Sequence, residues 1–337
     1  MRMTAPLRFG LIGTGRIGQV HAANIAAEPD AVLAWIADPF VDGARSLAAR
    51  YGGTATADPA ELLASGELDA VVIASPTNTH VDLTARAVDA GIPVLCEKPI
   101  DLDIARVDAL RPRIAAAGIP VALGFNRRFD PSFAGVRARV AAGEIGELEQ
   151  LTIISRDPAP PPADYVGVSG GIFRDMTIHD FDMARFFLPD IVEVSAVGSA
   201  LFDAGAREHG DVDTAVTTLR AAGGAIVTIV NSRHSAVGYD QRIEAFGPLG
   251  MLQVANAPTS LVSLSTSAAV ESRPRYEEFF LQRYAAAYVA ELREFMKAAR
   301  GEPSSSPTFD DGRAALLLAD AAQRSASERT AVSVDLT

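Results

Sequence analysis

Asp175, His179 and Asp182 fall at i, i+4 and i+7 within Gly170-Gly171-Ile172-Phe173-Arg174-Asp175-Met176-Thr177-Ile178-His179-Asp180-Phe181-Asp182. On a regular helix three such side chains share one face, with Asp180 turned away. A carboxylate one turn from an imidazole can orient the ring and stabilise its protonated form, which makes a general-base pair. The same spacing also fits a helix-start carboxylate ahead of a core histidine.

A second constellation lies near the start of the chain. Gly13-Thr14-Gly15-Arg16-Ile17-Gly18 follows an apolar run and opens an amphipathic one. Glycines at these places allow a tight turn, a close backbone approach to a pyrophosphate and close helix–strand packing. The helix N-terminus behind them favours an anion. Asp38 closes the next apolar run and suits the ribose hydroxyls of a dinucleotide. It is followed by Pro39 rather than by an arginine that would hold a 2′-phosphate, so NAD is expected over NADP. Capping of the following turn is the alternative use of Asp38. Ser75, Thr77 and Asn78, in Ser75-Pro76-Thr77-Asn78-Thr79-His80, follow a further strand and are expected to touch the cofactor. Thr79 is expected to cap the next helix, and His80 to start it. Together the two constellations suit the removal of a proton and a hydride from an alcohol.

Lysine is scarce: of thirty basic residues only Lys98 and Lys297 are lysines. Lys98 sits in Cys96-Glu97-Lys98-Pro99 at the end of a short apolar run, where a compact ammonium can hydrogen-bond a reacting oxygen in a way arginine cannot. Lys297, in an ordinary amphipathic helix, reads as a surface residue. Cys96 reads as a small buried apolar side chain, and His21 as a surface residue near the glycine turn. His21, His209 and His234 have no metal-ligand spacing, so no metal is expected.

These residues need a scaffold. Residues 1–124 alternate short apolar runs with longer amphipathic ones, the pattern of a doubly wound parallel sheet, a Rossmann domain. Strands are predicted near 7–12, 31–37, 54, 70–74, 94–96 and 120–124, with helices over 16–27, 41–51, 61–64, 81–90 and 101–117. Residues 125–337 read as an α+β substrate-binding domain on a largely antiparallel open sheet. Its strands are predicted over 148–155, 192–201, 212–221, 225–232, 241–246 and 251–254, and its helices after Gly171 and over 276–300 and 310–327.

The whole composition narrows the partners. The chain has 337 residues, 48% hydrophobic and 21% charged, with a formal net charge of −12. That balance disfavours nucleic acid and anionic membranes. No apolar run reaches the ~20 residues that span a bilayer. Residues 1–6 form a short polar lead without a signal-peptide pattern. A single cysteine fits a reducing cytoplasm.

Glu97-Lys98-Pro99 together with the glycine turn resembles the Gfo/Idh/MocA family of sugar and cyclitol oxidoreductases, over essentially the full chain. The segment 170–186 resembles its inositol 2-dehydrogenase branch. So do Ser155-Arg156-Asp157-Pro158, Gly124-Phe125-Asn126-Arg127-Arg128-Phe129, Gly238-Tyr239-Asp240-Gln241-Arg242-Ile243-Glu244 and Phe279-Phe280-Leu281-Gln282-Arg283-Tyr284. The resemblance implies NAD as cofactor, with Gly13, Gly15, Arg16, Ile17, Gly18, Asp38, Ser75, Thr77, Asn78, Glu97 and Lys98 around it. It implies Lys98, Asp175 and His179 as the catalytic group, with His179 as base. Asp157, Asp182, Arg127 and Tyr239 are then expected to bind substrate hydroxyls. Ser155 stands where some inositol dehydrogenases carry histidine, which bears on the stereoisomer. The expected reaction is oxidation of myo-inositol at C2 to the 2-keto product. The alternatives are a dehydrogenase of another inositol isomer or a pyranose, and a non-catalytic NAD-binding regulator. A homo-oligomer, often a tetramer in this family, is implied.

Overall fold

The computed structural model describes residues 5–337; of the polar lead, residues 1–4 lie outside the described residues. The chain divides into two compact units, residues up to Asn126 with Ala287–Arg313, and Arg127–Ala286 with Ala314–Thr337. A single switch near residue 125 was expected. Residues 287–313 instead return to the first unit, because an apolar helix face there completes its core.

The first unit is built on β1 (Leu7–Ile12), α1 (Arg16–Ala27), β2 (Ala31–Ala37), α2 (Val41–Tyr51), β3 (Thr54–Thr56), α3 (Pro59–Ala64), β4 (Ala70–Ile73), α4 (His80–Asp89), β5 (Val94–Cys96), α5 (Ile104–Ala117) and β6 (Val121–Leu123). Its strands form one parallel sheet of order β3-β2-β1-β4-β5-β6. The order reverses beside β1 and β4, so the loops after these strands border the crevice where ligands of such sheets bind. β4 and β5 are buried throughout, as expected of parallel strands covered on both faces. Asp58 and Asp103 cap α3 and α5 by accepting from Ala60 N and Ala105 N.

The second unit holds α6 (Pro131–Ala141), β7 (Gln150–Arg156), α7 (Ala163–Ser169), α8 (Ile178–Phe187), β8 (Ile191–Ser199), α9 (Ala204–Glu208), β9 (Thr214–Ala221), β10 (Ile226–Ser232), β11 (Asp240–Gly247), β12 (Gly250–Val254) and α10 (Phe280–Arg283). After α11 (Ala285–Ala299), α12 (Phe309–Glu328) and β13 (Val332–Ser333) end the chain. The sheet order is β12-β11-β7-β10-β9-β8-β13, antiparallel at every pairing except β7 with β10. Alternation divides its residues. Leu151, Ile153, Leu219, Val227 and Ile229 are buried, whereas Val197, Val216, Ile226, Phe246 and Met251 are exposed. Helices α6, α7 and α9 carry no strong periodic pattern and were not foreseen. No helix among the described residues is long and apolar enough to cross a membrane.

The core of the first unit joins Phe9, Leu11, Ile25, Ile36, Val72 and Leu95 to Leu292, Phe295 and Met296 of α11. Phe9 and Phe295 are fully buried, with ring centroids 6.2 Å apart. Phe295→Ala should therefore cost about 3–5 kcal/mol, as for other buried aromatic truncations. Urea unfolding checks this; a loss below about 1 kcal/mol would show that α11 is dispensable to that core.

Candidate active site

In the first unit the glycine turn lies between β1 and α1. Gly13 has φ +100°, and a Cβ there would lie 2.5 Å from the Ala74 carbonyl oxygen. A Cβ on Gly18 would lie 2.1 Å from the Gly13 oxygen, so these two glycines are required by the protein's own packing. Gly15 is different: a Cβ there meets nothing within 4 Å. Gly15 is the exposed N-cap of α1, whose first turn carries no acidic residue. An open space at a helix N-terminus free of carboxylates fits a pyrophosphate. Arg16 and Ile17 follow on the first turn of the same helix.

Asp38 ends β2 and orders the turn. One carboxylate oxygen accepts from Thr14 N at 2.8 Å and Thr14 Oγ1 at 2.7 Å, and the other from Phe40 N at 2.9 Å. The capping use of Asp38 is thus realised, and Oδ1, which accepts one bond, keeps acceptor capacity for a ribose hydroxyl. Ser75 and Thr79 share a 2.6 Å hydroxyl contact, and Thr79 donates to Pro76 O rather than capping α4. Thr77 is half-buried and Asn78 exposed beyond β4.

Lys98 follows β5, and the Lys98–Pro99 peptide is cis. The residue before it departs from expectation. Glu97 is 8% exposed, and its Oε1 lies 2.7 Å from His21 Nε2. Its other oxygen occupies the space left by Gly124, where a Cβ would lie 2.8 Å away. Glu97 is therefore turned into the protein, toward His21 and Gly124, although a cofactor contact was expected of it. His21, expected on the surface, is 1% exposed and meets the Tyr288 ring edge-on at 6.0 Å. Cys96 is buried, as read.

The second unit presents Asp157, Asp175 and His179, all half-buried. The approach to α8 begins at Gly171, with φ +84°, where a side chain would strike Asp211; that carboxylate accepts from Ile172 N at 3.1 Å. Residues Phe173–Thr177 then make a π-helical turn before α8. A π turn takes more residues than an α turn, so seven residues no longer complete two turns. This is the physical reason that Asp182 does not share the accessible side of Asp175 and His179. Asp182 is 0% exposed, and Arg128 binds it through both guanidinium nitrogens, Nε to Oδ2 at 2.8 Å and Nη2 to Oδ1 at 2.5 Å. The expected hydroxyl reader is instead a strut between α8 and the turn before α6.

Asp180 occupies the centre. It is fully buried, and Oδ1 accepts from Arg127 Nη1 at 2.7 Å and Ser155 Oγ at 2.6 Å, while Oδ2 accepts from Asn231 Nδ2 at 2.7 Å. Burial pushes its carboxyl upward against the pull of Arg127, Ser155 and Asn231. Arg127 also donates to Ser155 at 2.9 Å and to the Tyr239 hydroxyl at 3.4 Å. Arg127 and Tyr239, expected to bind substrate hydroxyls, are 5% and 4% exposed and make these internal contacts.

Arg233, at the end of β10, went unnoticed in the sequence. It is 3% exposed and donates to Asp175 Oδ2 at 2.8 Å, with Asp157 Oδ2 at 4.0 Å. The Tyr165 hydroxyl donates to the other Asp175 oxygen at 2.9 Å. Burial pushes Asp157 up to about 6, with Arg233 opposing and the Asp175 charge adding. Arg233 follows Asn231 and Ser232 directly after an apolar strand, which is the one signal that marked it.

This arrangement can bind a polyhydroxylated molecule through carboxylates, with an imidazole to move a proton. Comparison with known proteins finds relatives for both units of the chain. Residues 7–125 match the model of an oxidoreductase family with an NAD-binding Rossmann fold, and residues 133–253 match the GFO/IDH/MocA C-terminal domain. An inositol 2-dehydrogenase of Rhizobium meliloti is 45% identical over 97% of this chain and 99% of its own. The crystal structure of a myo-inositol dehydrogenase from Corynebacterium glutamicum is 54% identical, with TM-score 0.95, covering 98% of this chain and 99% of that one. A scyllo-inositol dehydrogenase from Lactobacillus casei, solved with NAD(H) and scyllo-inositol, is 29% identical with TM-score 0.90 over 97% and 99% of the chains.

The contrast between glycines gives a test of the dinucleotide site. Gly15→Ala should cost at most about 1 kcal/mol of stability through the poorer N-cap, yet weaken NADH binding about tenfold or more, because the methyl enters the space needed by the pyrophosphate. Fluorescence titration reads this, and an unchanged affinity would place the pyrophosphate elsewhere.

Proposed function

The chain belongs to the Gfo/Idh/MocA family of NAD-binding oxidoreductases acting on CH–OH groups, and from that premise we propose that it oxidises myo-inositol at C2 to the 2-keto product. The observation that supports this best is that the likeness to inositol dehydrogenases spans both units, so it includes the half that meets the substrate as well as the half that meets the dinucleotide.

The proposed division of labour follows from the residues' chemistry. NAD, when bound, accepts the hydride released by the carbinol carbon. His179 takes the hydroxyl proton, the task for which an imidazole is the commonest side chain. Asp175, held by Arg233, steadies the resulting imidazolium. Lys98 hydrogen-bonds the same oxygen and stabilises its developing negative charge. Asp157 accepts from neighbouring ring hydroxyls once it has lost its own proton, which its raised value near 6 permits at neutral pH. Asp182, Arg127 and Tyr239 support this set from inside the second unit.

The experiment is a substrate panel with purified protein and NAD, comprising myo-inositol, scyllo-inositol, other inositol isomers and pyranoses. Myo-inositol should give the highest kcat/KM, and His179→Ala should lower its kcat by about a hundredfold or more while NADH binding persists. Faster turnover of a pyranose than of every inositol would sink the substrate assignment; retained turnover by His179→Ala at all pH values would remove it as the base. The exposed apolar sheet residues Val197, Val216, Ile226, Phe246 and Met251 support assembly of further copies through that face. Light scattering should accordingly give a mass above the 35.4 kDa of one chain; a monomer at working concentration would count against it.

A further inference from the structure

His80 opens α4 and is 1% exposed. Its two ring nitrogens each face a backbone carbonyl oxygen: Nδ1 lies 2.8 Å from Pro99 O, and Nε2 lies 2.8 Å from Ser75 O. A neutral imidazole carries one N–H, so it can donate to only one of them. Its other nitrogen would then press a lone pair against an oxygen lone pair, with no water able to intervene at a buried site. Both contacts are satisfied only when both nitrogens carry protons. The two carbonyls belong to the segments that frame the dinucleotide crevice. Ser75 begins the loop with Thr77 and Asn78, and Pro99 directly follows Lys98.

We propose that His80 is a buried imidazolium brace, a positioning residue that ties the Ser75 loop to the Lys98–Pro99 segment, and that loss of its proton loosens the NAD site. The surroundings favour the charged ring. Desolvation by burial works against it. Cys96 on β5 and the carbonyls of Pro99 and Ser75 outweigh that, and the value is pushed up to about 9. Cys96 is the titratable group beside the ring. Glu97 is turned to His21, and Asp82 in the first turn of α4 is turned to Arg106 at 3.0 Å.

The sign follows from the raised value. Relative to the unfolded 6.5, the brace contributes fully below about pH 6.5, and its contribution is lost as pH rises through about 9. Lys98 is thus held from both sides by buried histidines, His21 through the Glu97 side chain and His80 through the Pro99 carbonyl.

Two measurements test this. Ring-15N NMR of the protein, which has five histidines, should show both nitrogens of His80 protonated at pH 8, with the signal assigned by its loss in His80→Gln. The NADH dissociation constant of the unaltered protein should rise about tenfold between pH 8 and pH 10, the loss of one charge-assisted hydrogen bond. His80→Gln should bind NADH about tenfold more weakly at pH 7.5 and lack the alkaline rise. If His80→Gln does not fold, His80→Asn serves for the assignment, and the titration of the unaltered protein stands by itself. An unprotonated His80 nitrogen at pH 8, or a flat NADH affinity up to pH 10, overturns the proposal.

Discussion

Arg127 and Asp180 are both buried, and a charge of either sign is tolerated there because the other lies 2.7 Å away. Neither is satisfied by its partner alone. Ser155, Asn231 and Tyr239 take up the remaining donors and acceptors, and Thr177 donates to Asn231 at 2.8 Å. These residues come from the turn before α6, from β7, from the π turn, from α8, from β10 and from the start of β11. One buried carboxylate thereby fixes the relative positions of the elements that carry Asp157, Asp175 and His179. Removing either charge would leave the other buried and uncompensated, which in comparable pairs costs about 3–5 kcal/mol.

This constraint separates two kinds of acidic residue that a sequence makes look alike. Asp180 and Asp182 are spent on arginines inside the unit, and they hold α8. Asp157 and Asp175 sit at the edge of the same network, share Arg233, and keep partial exposure. The inner carboxylates set the geometry, and the outer ones remain partly accessible. The first unit uses the same economy around Lys98. Its neighbours Glu97 and Pro99 are each tied to a buried histidine, so the lysine between them is held by its backbone.

Much of the fold was legible because its signals are local. The apolar runs at β1, β2 and β4 have the length and punctuation of buried parallel strands, and the glycine turn sits at the only junction that suits it. The return of α11 to the first unit was not legible. Its Leu292, Phe295 and Met296 stripe says that the helix is covered, but not by which core. The π turn over Phe173–Thr177 was likewise hidden, because no residue type there departs from what an α-helix accepts.

By itself the sequence determined the chemistry available: a phosphate-binding turn, an acidic end to β2, a lysine where arginine is the rule, and a carboxylate–imidazole pair. Each depends on residue type and short spacing, and both are written in the chain. Only the tertiary structure decided which acids stay partly exposed. Asp182 lost its place as a hydroxyl reader to Arg128, Glu97 turned inward to His21, and Arg233 emerged as the partner of Asp175. The reason is physical. A buried polar or charged group must find a partner, and that partner lies 54, 76 or 58 residues away in the chain, where no local pattern can announce it.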